Sequence, residues 1–125
     1  MKAQTIIACL TILLLHFANQ AFANTVTYTL TIAEETVNIT GKDRKGMTIN
    51  GGIPGPTIRF TEGDEAVLHV RNEMDVPSSI HWHGLLVPPQ QDGVPFISFP
   101  PIKPHSTYTY RFPIRQAGTC WYHSH

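Results

Sequence analysis

Two short stretches of this 125-residue chain concentrate side chains able to bind a metal: Ile80-His81-Trp82-His83-Gly84 and Trp121-Tyr122-His123-Ser124-His125. Each holds two histidines separated by one residue, so four of the seven histidines fall into two His-x-His pairs. In an extended strand, residues i and i+2 point to one face with Cα atoms roughly 6.6–7 Å apart. Both imidazoles of a pair therefore face the same way. An imidazole reaches a metal at about 2 Å, so a pair can pinch one ion or place its rings on neighbouring ions of a cluster. The spacing leaves both open, but it excludes a helical site, where ligands stack at i and i+3 or i+4.

The ligand type narrows the metal. Imidazole-only ligation suits copper, zinc, iron or nickel, and the Irving–Williams order favours copper among divalent ions. Neither motif contains Asp or Glu, so oxygen-loving ions are poorly served. Cys120 is a tempting extra ligand, because a thiolate beside histidines would make a blue-copper centre. Strand alternation turns it away from His123 and His125, and it is expected to be a small buried hydrophobe. The same alternation makes Ile80 and Tyr122 packing residues. Trp82 and Trp121 are expected in the core, although an indole beside a redox metal can also carry electrons. Gly84 is expected to let the backbone pass close to a metal group. His69 shares a strand face with Val67 and Arg71 and reads as a surface residue, and His105 stands alone as structural or solvent-exposed. A zinc hydrolase built on one pair would need a carboxylate base, for which Asp92 is the loop candidate.

The elements that must position these side chains are almost all of period two. Val26, Tyr28, Leu30 and Ile32 alternate with Thr25, Thr27, Thr29 and Thr31, the pattern of a half-buried strand. A short run at Thr36 to Thr40 follows, then a charged turn from Gly41 to Gly46 and a strand at Met47 to Asn50. Gly51-Gly52-Ile53-Pro54-Gly55-Pro56 breaks the chain, since glycine admits positive φ and proline removes a donor. Further strands are expected at Thr57 to Phe60 and at Glu65 to Asn72, where Ala66, Leu68 and Val70 share the buried face. Residues 80 to 84 form the first histidine strand. After the loop from Leu85 to Val94, Ser106 to Phe112 and Thr119 to His125 complete the set. No helix of ordinary length is predicted. Short strands between turn signals predict an all-β, antiparallel Greek-key sandwich or barrel.

The first 23 residues read as a secretory leader: Lys2 at the start, an apolar run from Ile6 to Phe17, and a small-x-small site at Ala21-Phe22-Ala23. The run is too short for a membrane span of about 20 residues, and the chain is expected in the periplasm or secreted. Ile6-Ile7-Ala8-Cys9 looks like a lipobox, but too few apolar residues precede Cys9. A mature chain beginning at Asn24 loses Cys9 and keeps Cys120 alone, so no internal disulfide can form. Loss of Lys2 leaves eight basic against nine acidic residues, which gives no footprint for nucleic acid or an anionic membrane. Residues 24–125 are enough for one modest domain.

From about Ile49 to His125 the sequence resembles the first cupredoxin (plastocyanin-like) domain of the multicopper oxidases, most closely the bacterial copper-resistance protein A type. The resemblance rests on Ile49-Asn50-Gly51-Gly52-Ile53-Pro54-Gly55-Pro56, Glu62-Gly63-Asp64, Ile80 to Leu85, Asp92-Gly93-Val94-Pro95 and Gly118 to His125, in order and at family-like spacing. It implies that His81 is a ligand of a type 2 copper, His83 and His123 ligands of one type 3 copper, and His125 of the other. It also implies a trinuclear cluster that reduces dioxygen to water with electrons from cuprous ion or phenolic donors. The chain stops inside the second motif and lacks the other His-x-His segments and any type 1 set of Cys, His and Met. A truncated cupredoxin domain without oxidase turnover is therefore expected, its partners being copper ions, dioxygen and the missing C-terminal domains. The alternative is a non-catalytic periplasmic module that sequesters copper.

Overall fold

The computed structural model describes residues 23–125; the expected leader and its Cys9 lie outside the described residues. Six strands account for nearly all regular structure: β1 (Thr25–Val37), β2 (Arg44–Ile49), β3 (Glu65–Asn72), β4 (Ile80–His83), β5 (Thr107–Pro113) and β6 (Trp121–Ser124). One 3-10 turn, Pro89–Gln91, interrupts the loop after β4. No described helix is long and apolar enough to cross a membrane. The strands form a four-stranded sheet in the order β2-β1-β3-β5 and a two-stranded sheet of β4 and β6. The all-β expectation holds, as two open sheets and not a closed barrel.

Pairing direction departs from a wholly antiparallel scheme, because β1 and β3 run parallel, from Thr25 opposite Glu65 to Ile32 opposite Asn72. Parallel neighbours need a long crossover, and here it carries β2 and the Gly/Pro-rich segment. The expected run at Thr36 to Thr40 is no separate strand: β1 continues to Val37 and β2 starts at Arg44. Residues 57–60 keep the predicted alternation of exposed and half-buried positions but pair with no strand among the described residues. Beyond Ile49, the side chain of Asn50 carries on the pairing. Its Oδ1 accepts from Thr31 N–H at 2.6 Å and its Nδ2 donates to Thr29 O at 3.1 Å.

The core lies between the sheets. Leu30, Ile32, Leu68, Val70, Tyr110 and Phe112 from the larger sheet meet Ile80 and Trp82 from the smaller. The Trp82 ring stands edge-on to Tyr110 with centroids 5.2 Å apart. The Tyr110 hydroxyl accepts the Ile80 N–H at 3.1 Å, which fixes the first residue of β4. Burial pushes the Tyr110 hydroxyl well above the usual range near 10. Asn72, fully buried, accepts from Met74 N–H and donates to Val76 O and Ile102 O, so it shapes the approach to β4.

Candidate metal centre

Strands β4 and β6 lie side by side, antiparallel, with His81 opposite His123 and His83 opposite Trp121. Because Ile80 and Trp82 are held in the core, alternation sends His81 and His83 to the other face. The same register sends His123 to meet them. Ligand nitrogens of His81, His83 and His123 all lie within 4.8 Å of one another. Ring centroids are 5.6 Å apart for His81 and His83, and 5.4 Å for His81 and His123. His125 stands at the margin, 6.3 Å from His81 and 6.1 Å from His123 between centroids. Three of the four predicted ligands thus converge, and the fourth adjoins them.

The rings are oriented from behind. His81 Nδ1 lies 2.8 Å from the carbonyl oxygen of Asp92. A carbonyl only accepts, so Nδ1 carries the proton and Nε2 keeps the lone pair for a metal. His123 Nδ1 makes the same kind of bond to Ser124 O at 3.0 Å. The Asp92 carboxylate lies 3.4 Å from His81 Nδ1, on the side of the ring away from Nε2. It is therefore badly placed to serve as base for a metal-bound water, which weakens the hydrolase reading. The donor set fits a borderline or soft transition metal and offers no carboxylate to a hard one.

The loop bearing Asp92 is pinned to β4. Ser79 Oγ donates to Gly93 O at 2.6 Å. Gly93 has φ +72, and a Cβ there would stand 1.8 Å from Ile80 O. Ser79, Tyr110 and Asn72 were missed by sequence reasoning as parts of the site's framework, since a buried polar residue looks like any surface polar residue until its partners are known. Only Ser79, directly before the β4 motif, carried a signal in its position.

Two expectations are corrected. Cys120 is exposed, not a buried hydrophobe. Its Sγ sits 3.6 Å from Gly84 O and 4.0 Å from Gln116 Nε2, just before β6 begins. Trp121 is 58 % exposed and lies outside the core. Instead its indole stacks on His83 and on His123, with centroids 4.6 and 4.5 Å away. Gly84, with φ +84, turns the chain out of β4, and the space its Cβ would enter belongs to Cys120. His69 pairs with Thr109 Oγ1 at 2.8 Å, and His105 with Asp75 at 3.1 Å, both away from the cluster as expected.

A family model described as multicopper oxidase matches residues 31–125, about three quarters of the chain. The chain belongs to the multicopper oxidase family. A copper resistance protein A homolog of Pseudomonas syringae pv. tomato is 57% identical over 98 residues, covering 78% of this chain and 17% of that protein. Copper resistance protein A of Escherichia coli is 53% identical over 98 residues, covering 78% and 16%. Among solved structures, a multi-copper oxidase from Pseudomonas thermotolerans superposes with TM-score 0.78 at 34% identity, over 83% of this chain and 26% of that one. A Campylobacter jejuni multicopper oxidase, described as a metallo-oxidase, gives TM-score 0.73 at 41% identity, over 86% and 23%. The chain spans about a sixth of the length of the curated relatives it matches. The fold is accordingly cupredoxin-like, as the motifs implied.

Proposed function

We propose that this chain is the N-terminal, copper-holding part of a multicopper oxidase of copper-resistance or laccase-like type. His81, His83 and His123 are its ligands, and His125 completes the set. The observation that carries this reading is the convergence of three imidazole donors within 4.8 Å on two neighbouring strands, without any carboxylate among them. Copper in such a centre supplies one-electron redox chemistry, which in the complete oxidase couples oxidation of cuprous ion or phenolic donors to four-electron reduction of dioxygen to water. Within it His81 is assigned to the type 2 copper, His83 and His123 to one type 3 copper, and His125 to the other.

The chain's own residues do the positioning. Asp92 O holds His81 with Nε2 free, Trp121 lies against the two imidazoles it contacts, and Ile80 and Trp82 root β4 in the core. Residues 1–23 act as an export leader to the periplasm or exterior, and residues 24–125 are the N-terminal cupredoxin-type domain. The remaining ligands and the electron-entry copper belong to polypeptide outside these residues, so the isolated chain has no turnover. Stoichiometric binding of cupric ion by the purified chain is expected, lost in a His81→Ala/His123→Ala variant, with no copper-dependent oxygen uptake. Unchanged binding in the variant would sink the ligand assignment, and sustained oxygen uptake would sink the inactivity.

A second reading is a module that sequesters copper without catalysis. It is favoured by the fact that this chain alone already brings three donors together. Copper held in one-to-one ratio by the chain in cells, together with copper tolerance lost in the double variant, would distinguish it.

A further inference from the structure

We infer that Gln91 is a positioning residue for the histidine cluster: its side-chain amide ties the loop bearing Asp92 to the outer edge of β5 and so keeps Asp92 O against His81. Its part in metal binding rests on the copper reading; the hold on His81 does not. Strand β5 is an edge of the larger sheet. Arg111 N–H points out from that edge and donates to Gln91 Oε1 at 2.8 Å, so a side-chain amide covers a backbone donor that would otherwise stand bare. The other end of the amide donates to the Tyr108 hydroxyl at 3.3 Å, and that hydroxyl donates to Gln90 O at 3.5 Å. Tyr108 is itself fixed, edge-on to Phe99 and Tyr110 with centroids 4.6 and 4.8 Å away. Gln91 is half-buried, whereas its neighbour Gln90 is exposed and its side chain has no hydrogen bond among the described residues.

The anchor acts one residue away from the site. Gln91 N–H donates back to Pro88 O at 2.8 Å and Asp92 N–H to Pro89 O at 3.2 Å, so the 3-10 turn carries Asp92 along with the anchored glutamine. Asp92 has φ −75 and ψ −20, and the peptide group that holds its carbonyl leads into Gly93 at φ +72. Glycine lets such a peptide turn over at little steric cost, so the local sequence does not by itself aim Asp92 O at His81. The carbonyl is held from both sides. After it, Ser79 Oγ donates to Gly93 O at 2.6 Å, which ties the loop to the start of β4. Before it, Gln91 ties the loop to β5 in the other sheet. The Asp92 carboxylate, 3.4 Å from His81 Nδ1, rides on the same residue and moves with it. Without this hold the His81 proton can sit on either nitrogen, and Nε2 is no longer reserved for a metal.

The test reads the neutral His81 ring in the metal-free full chain by heteronuclear NMR. Wild type is expected to keep the proton on Nδ1. Gln91→Leu, which preserves bulk and removes both polar atoms, is expected to give a mixture of tautomers. Its cupric ion affinity should fall by about ten-fold, the low end for losing an outer partner of a ligand. Gln91→Glu retains an acceptor for Arg111 N–H and is expected to restore both properties. Gln90→Leu is expected to change neither. An unchanged His81 tautomer in Gln91→Leu, or an equal mixture in Gln90→Leu, overturns the inference. Should Gln91→Leu fail to fold, wild type decides. Amide exchange at Arg111 is expected to be at least about ten-fold slower than at Thr109, whose N–H faces the same edge without a partner among the described residues; equal rates overturn the inference. A chain that binds no copper, yet shows mixed tautomers in Gln91→Leu alone, sinks the copper reading and leaves the hold on His81 standing.

Discussion

At the scale of single residues, the site depends on how each imidazole is held. Asp92 orients His81 through its backbone carbonyl at 2.8 Å, with the carboxylate more distant at 3.4 Å. Losing an outer partner of a metal ligand typically costs 10–100-fold in affinity. Asp92→Ala keeps the carbonyl, so copper affinity is expected to fall by less than about ten-fold, as read by competitive titration; a loss as large as that of His81→Ala would place the carboxylate among the ligands. Trp121 is a different case. Aromatic pairs contribute about 0.5–1.5 kcal/mol each beyond area, and this exposed indole makes two, with His83 and His123. Trp121→Ala should lower copper affinity by roughly ten-fold, each 1.4 kcal/mol being one decade. Its effect on thermal unfolding should be small, since more than half of the residue stays exposed. A variant that binds copper normally but unfolds early would show that the indole serves the fold and not the ligands.

At the scale of elements, β4 is the piece on which the site turns. Its inner face is locked by Trp82 against Tyr110 and Phe112, and its start by the Tyr110 hydroxyl. Gly93 lets the following loop lie directly on Ile80 O. Gly93→Ala puts a methyl into backbone at a positive φ, so a destabilisation of at least about 2–3 kcal/mol is expected, with weakened copper binding as Asp92 lifts from His81. Chemical denaturation and copper titration of the same sample check both; an unchanged denaturation midpoint would contradict the close approach. Much of this element was legible in the sequence. Period two fixed which face of 80–83 carries the imidazoles, because alternation follows directly from strand geometry. Burial was less legible: alternation names a face but not what covers it, so Cys120 and Trp121 were expected inside and lie outside. Residues 57–60 show the same limit, for they have the pattern of a strand and, among the described residues, no paired neighbour to make it one.

At the scale of the whole molecule, the class of fold followed from short alternating runs and turn residues, while the parallel pairing of β1 with β3 did not. Side-chain alternation is identical for either direction, and only the path of the crossover decides. The packing of the sheets also sets a limit at high pH. Burial raises the folded-state ionisation of Tyr110 above its unfolded value near 10. The native state therefore binds more protons than the unfolded one above that pH. Stability from this group is complete below about pH 10 and declines as the pH rises beyond it. Equilibrium denaturation across pH 9 to 11 should show the loss, and Tyr110→Phe, if it folds, should flatten it. One small device reaches further than its size. The Asn50 amide stands in for a peptide unit beside Thr29 and Thr31, so the threonine-rich start of β1 has a chaperone of its own, one residue long. With Asn50→Ala that stretch loses its cover, and light scattering at raised concentration should report fibrous or amorphous association well before the histidine face is disturbed.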